Sequence, residues 1–271
     1  MGRFEPIHDA HAIEQVALVL QTQRNLDDAE LTAIAKAAEQ FRGEFTNLMQ
    51  LQTMSFGFGS LGVAPRVAPN QFAGTALVKT RESGIIESEL RLDRSSVSFR
   101  TTTYTRWPEV WAQIRRYFAA VLPIYAPAGE INAIALNYVD KFYWDGEAAE
   151  MRPTALLRDD SPYVCPFVFE AEDLWHSHVG AFRRVDDLVK RLININLDCL
   201  DEEQPAKRRI VSITTVLTDT LGNAGYGVLE VDDAGVKFFC DRAEQLHIES
   251  KAIVGEILNE QACQRIGLRE K

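Results

Sequence analysis

A chain of 271 residues, 46% of them hydrophobic, can bury a sizeable core in one large domain or two smaller ones, and this composition excludes a disordered protein. Its formal charge of −10 repels a phosphate backbone, so nucleic acid is an unexpected partner unless Arg115-Arg116, Arg183-Arg184 and Lys207-Arg208-Arg209 converge into one basic patch. No uncharged apolar run reaches the roughly eighteen residues of a membrane span, and the N-terminal MGRFEPIHDAHAIEQ lacks both a signal-peptide core and a myristoylation motif, which together point to the cytoplasm.

In chain order, residues 12–22 (AIEQVALVLQT) alternate partially at Ile13, Val16, Leu18 and Leu20 and predict a strand. The stretch LDDAELTAIAKAAEQFRGEFTNLMQ (26–50) then switches to a helical period through Leu31, Ile34, Ala38, Phe41, Phe45 and Leu48, with acids in its first turn. Short extended runs follow at 50–59, 72–80, 84–92 and 95–105, divided by turn chemistry, and suggest an antiparallel meander. The Gly/Pro-rich segment 57–70 contains GFGSLG (57–62), which superficially resembles a phosphate loop. The prolines after it cannot open the helix such a loop needs, so it reads as a flexible connection.

A second amphipathic helix starts at TRWPEVW, with Pro108 in its first turn and Val110, Trp111, Ile114, Phe118, Val121 and Leu122 on one face; Pro123 and Pro127 are expected to stop it. INAIALNYVDKFYW (131–144) is long and β-rich enough for the centre of a sheet. Extended runs at 162–170, 174–183, 188–199 and 208–219 follow. A final helix carries Val236, Phe239, Ala243, Leu246, Ser250, Ile253 and Ile257 at steps of three and four, with Gly267 near its end. The expected fold is α+β: two antiparallel meander sheets, each packed by a long amphipathic helix, as a duplicated helix-on-sheet unit. The lobes would cover 1–129 and 130–271, or merge into one continuous domain.

Four stretches resemble a sporadically distributed prokaryotic protein family whose members are of about this length. They are PIHDAHAIEQVALVLQT, SVSFRTTTYTRWPEVWAQIRRYFAAV, INAIALNYVDKFYW and LHIESKAIVGEILNEQACQRIG. The shared motifs are a Tyr-then-Trp start to a helix (Tyr104, Trp107), a strand with Asn137-Tyr138, and a helix with His247. The resemblance implies no activity, cofactor or catalytic residue.

Candidate sites are few. In LWHSHVGAFRRVD (174–186), His176 and His178 would project from one strand face, close enough to share a metal ion. A catalytic zinc needs a third protein ligand and a group behind each imidazole, but His8, His11 and His247 are distant in sequence and Glu170, Glu172 and Asp173 also read as an acidic loop. The pair therefore reads first as strand surface, and no cofactor is expected. His8 and His11 flank Asp9, which could tune them for acid–base work or simply introduce the first strand. Trp107 and Trp111 share a helix face, as core or as anchors for a partner at an interface. Asn137 and Tyr138 point to opposite faces, so one of them can line a groove. Cys165, Cys199, Cys240 and Cys263 form no C-x-x-C pair and read as buried thiols. The sequence holds no G-x-S-x-G, Walker loop or H-E-x-x-H.

The expected role is therefore a non-catalytic binding or regulatory one, through a protein partner or self-association, as in a component of a mobile prokaryotic gene module. The alternatives are a metal-assisted hydrolase using His176 and His178, and nucleic-acid binding by a saddle-shaped sheet.

Overall fold

The computed structural model describes residues 2–53, 56–57, 66–67, 71–128, 131–187, 189–203, 208–221 and 233–268. Apart from Gly57, the glycine loop 57–62 lies outside the described residues, as does most of the segment 57–70.

In chain order the strands are β1 (Arg3–Pro6), β2 (Ile13–Thr22), β3 (Asn47–Thr53), β4 (Phe56–Gly57), β5 (Arg66–Val67), β6 (Gln71–Thr80), β7 (Ile86–Asp93), β8 (Ser96–Thr101), β9 (Ile131–Asp145), β10 (Trp175–Arg184), β11 (Val189–Glu202) and β12 (Arg208–Leu221). The helices are α1 (Asp28–Ala38), α2 (Trp107–Ala128), α3 (Asp233–Ile257) and α4 (Glu260–Arg265). Ten strands form one antiparallel sheet in the order β10-β11-β12-β9-β2-β8-β7-β6-β3, with β1 beside the end of β9; β4 and β5 pair separately.

The fold is thus α+β, but with one sheet and not two. The seam is the antiparallel pair β2·β9, which aligns Val16 with Tyr138, Leu18 with Leu136 and Leu20 with Ile134. All six side chains are buried on the same face. Two sheets side by side would each have left an edge of unpaired N–H and C=O groups at this point; pairing removes both edges and makes one apolar face.

That face carries α1, α2 and α3, while the opposite face presents Gln15, Asn137, Asn194 and Thr214. Helix α1 opens with a capping box between Asp27 and Glu30 and buries Leu31, Ile34 and Ala38. The expected helix over 26–50 is shorter, since a 3-10 segment (Glu39–Glu44) follows and Leu48 lies in β3. Gly43 and the β-favouring Thr46 end the helical period while Phe41 and Phe45 still reach the core. Helix α2, by contrast, runs through Pro123 to Ala128. Pro123 faces solvent, and Val121, Leu122 and Tyr125 around it are buried. An interior proline costs about 3 kcal/mol, whereas burying each such side chain returns about 1.5–3 kcal/mol, so the helix continues.

The central position expected of residues 131–144 is that of β9. The run expected at 162–170 is instead a turn with a 3-10 segment (Pro166–Glu170). The inward stripe of α3 is confirmed at Phe239, Ala243, Leu246, Ser250, Ile253 and Ile257. Among the cysteines, Cys199 and Cys263 are buried, but Cys165 is exposed and Cys240 half-buried.

Helix α3 is tied to the sheet by charge. Arg191 Nε and Nη2 donate to the two oxygens of fully buried Asp219 at 2.6 and 2.7 Å, and Arg191 also pairs with Glu249. Glu249 pairs in turn with Arg183, and Arg242 reaches Asp186 at 2.6 Å. Such a network is tolerable inside a protein because every member has a partner.

Candidate functional site

Strands β1 and β2 pair with β9 in one line, interrupted by a short loop. The Ile7 N–H donates to Lys141 O and the Lys141 N–H to Ala12 O, so residues 8–11 bulge out, pinched by a bridge between His8 and His11. Beside this loop lies a cavity of about 240 Å³. Its walls come from both halves of the chain: Ala12 and Ile13, the start of α2 (Tyr104, Arg106, Trp107, Pro108), β9 (Tyr138, Asp140), α3 (His247, Ser250, Lys251, Val254) and the C-terminal Ile266, Gly267 and Leu268. The tail arrives there because Gly267 takes the left-handed conformation (φ 65°) after α4, with the Leu268 N–H donating to Cys263 O at 2.9 Å.

Rings form one wall. Trp107 is stacked between Trp111 (centroids 5.6 Å, 9°) and His247 (4.5 Å, 10°), and its Nε1 donates to Glu244 at 2.7 Å. His247 Nδ1 and the Tyr138 hydroxyl share a 2.9 Å hydrogen bond, and Tyr104 meets Tyr138 edge-on. Burial lowers the His247 pKa to about 4, so the ring is neutral at physiological pH. Burial likewise pushes the Tyr104 phenol up to about 12 and Tyr138 further up, and both remain protonated.

Asp140 is the outlier. It occupies the buried phase of β9, is 4% exposed, and its carboxyl has no hydrogen-bond partner among the described residues. Burial alone raises its pKa to about 7. Among the described residues it is the one carboxylate lining the cavity, while Arg106 and Lys251 are exposed on the same cavity and have no ion pair. Chemically, the site can accept a proton or a hydrogen bond at depth and meet an anion at its mouth.

The residues singled out in the sequence divide between this cavity and elsewhere. Tyr104, Trp107, Tyr138 and His247, far apart in the chain, converge on it. Trp107 is buried and Trp111 half-buried against it. Asn137 lies on the opposite face, its Oδ1 without a partner among the described residues. His176 and His178 share the outer face of β10 as the two-residue spacing implies. Each is exposed and engaged separately: His176 Nδ1 with Asp198 at 2.6 Å, and His178 Nε2 with Asn194 at 2.7 Å. Among the described residues no group of three or more His, Cys, Asp or Glu side chains is placed to hold a metal ion. His8 and His11 meet at 4.7 Å, and burial lowers the His11 pKa.

Sequence reasoning missed Asp140, although a signal was present. Leu136, Tyr138, Asp140, Phe142 and Trp144 are two apart, so the strand period places an acid in an apolar row.

The chain matches no protein-family model and no curated protein. Among solved structures it is similar to the di-domain ARO/CYC BexL from the BE-7585A biosynthetic pathway, at 12% identity and a TM-score of 0.20, over 94% of this chain and 99% of that one. A likeness of that size carries no functional argument. No helix among the described residues is long and apolar enough to cross a membrane.

Proposed function

We propose that this chain is a small-molecule-binding protein whose ligand seats in the cavity at the seam between its halves. One observation carries the reading: Asp140, 4% exposed and without a hydrogen-bond partner among the described residues, lines a cavity that solvent molecules can enter. A buried polar group without a partner costs about 1–3 kcal/mol, and more when charged. A ligand donor at this point would remove that cost. The ring wall and its neutral imidazole give a stiff, largely apolar surround with few polar groups, as ligand pockets have, and interfaces between structural units are where such pockets concentrate.

The size of the cavity sets the scale of the ligand. A cavity of about 150 Å³ holds benzene, so 240 Å³ corresponds to about ten non-hydrogen atoms. In this reading the protein binds rather than transforms, and the two halves act as a duplicated helix-on-sheet unit that creates the pocket where they meet. A regulatory role through a protein partner would then depend on ligand occupancy.

The test is a screen of compounds of this size by tryptophan fluorescence and thermal shift, since Trp107 lies in the wall. Binders that change the emission and lose affinity in Asp140→Asn support the reading. If no compound at millimolar concentration changes either signal, or if every binder is indifferent to Asp140→Asn, the cavity is not the binding site.

A further inference from the structure

The charges around the cavity are arranged by depth. Among the described lining residues the buried charge is that of Asp140: the phenols of Tyr104 and Tyr138 hold their protons, and burial keeps His247 neutral. No N–H or O–H among the described residues satisfies the Asp140 carboxylate. At the outer end the charges are cationic. Arg106 and Lys251 are exposed and have no ion-pair partner among the described residues, whereas other basic side chains of the fold, such as Arg116 with Glu44 and Arg209 with Asp201, do. The apolar side chains of Pro108, Val254, Ile266 and Leu268 line the same cavity.

A ligand complementary to this gradient carries a hydrogen-bond-donating cation at one end, an anion at the other, and hydrocarbon between. We propose that the ligand is a compact ω-amino acid, its ammonium on Asp140 and its carboxylate held by Arg106 and Lys251, an assignment that rests on the binding reading above. An α-amino acid fits less well because it carries both charges on one carbon, so it can serve one end of the cavity only. A simple carboxylic acid leaves Asp140 without a donor, and a simple amine leaves the two cations without a partner. Removing one charge-assisted hydrogen bond from a desolvated site weakens binding by about tenfold or more.

Four probes of nearly equal size separate these cases: 6-aminohexanoate, its isomer norleucine, hexanoate and hexylamine. Their affinities for the whole chain are measured by calorimetry at pH 8, where Asp140 is ionised. We expect 6-aminohexanoate to bind about tenfold or more tighter than each of the others. In Asp140→Asn its advantage over hexanoate should disappear, and in the Arg106→Ala, Lys251→Ala double variant its advantage over hexylamine should disappear. Arg106 and Lys251 are exposed, so that variant should fold normally, and its thermal transition checks this.

If hexanoate or norleucine binds as tightly as 6-aminohexanoate, or if none of the four binds while other compounds from the screen do, the ligand class is wrong and the binding reading stands. If neither the four probes nor the screen yields a binder, both fail together.

Discussion

Replacing Asp140 by asparagine removes one charge from the cavity wall at nearly constant shape. In the folded chain burial moves this carboxyl from its ordinary 3.8 to about 7. Between those values the native state holds a proton that the unfolded chain has released, so stability falls as pH rises through the window, and the full cost is present above pH 7. The whole window corresponds to about 4 kcal/mol at 1.36 kcal/mol per decade. Between pH 5 and pH 8.5 it covers about two decades, so the stability gap between Asp140→Asn and the parent should widen by about 2–3 kcal/mol in the variant's favour. For a chain of this size that is about 4–6 °C in thermal midpoint. Urea denaturation of both proteins at the two pH values reads the gap, and comparing the change with pH removes the fixed difference between an amide and a protonated carboxyl. A gap that stays constant, or moves the other way, refutes the reasoning, because it means that the carboxylate is hydrated or paired in solution.

Three further perturbations test other parts of the fold. The lowered His247 pKa has the opposite sign of linkage: the unfolded chain takes up a proton first, so stability is lost as pH falls from 6.5 to about 4, by about 3 kcal/mol. His247→Phe should lack this acid-side loss, and parallel urea titrations at pH 7 and pH 4 that show equal losses in both proteins would contradict it. Arg191→Leu leaves Asp219 buried without its bidentate partner and should cost about 3–5 kcal/mol, whereas the double variant Arg191→Leu, Asp219→Leu should recover most of that loss in chemical denaturation. Gly267→Ala places a side chain at φ 65° and should cost about 1–2 kcal/mol, seen as a small drop in thermal midpoint; no drop would mean that the tail does not take this turn in solution.

Local periodicity made much of this fold legible. The inward stripe of α3 and the strand positions of β2, β6, β7, β8, β10, β11 and β12 follow from steps of two, three and four between apolar residues. The merging of the halves into one sheet does not, because the pairing of Val16 with Tyr138 and Leu18 with Leu136 joins residues more than a hundred positions apart, and the same alternation would suit an edge strand. Pro123 misleads for a related reason. Its local cost is visible in the sequence, while the burial of Val121, Leu122 and Tyr125 that outweighs it depends on which elements pack nearby. The cavity is legible only in pieces: Tyr104, Trp107, Tyr138 and His247 stand out as separate motifs, and only the register of β9 against β2 and the path of α3 bring them together.

Asp140 departs from the way the well-satisfied polar groups of the core are held. The buried ion pair of Arg191 and Asp219 is satisfied from two strands and a helix, and Tyr125 places its hydroxyl 2.7 Å from Asp93 O and 2.8 Å from Ser96 O. Against a total stability of about 5–15 kcal/mol for a typical domain, an unpaired carboxylate worth several kcal/mol is a large concession, and one substitution to asparagine would lift most of it. A local rule broken without a structural compensation marks a functional position more often than an error of packing. The cavity beside Asp140 supplies the missing half of that argument. A partner can reach the carboxylate from the cavity, and one bearing a positive charge would give this buried group the ion pair it lacks among the described residues, at the same time lowering its pKa and releasing a proton on binding near neutral pH.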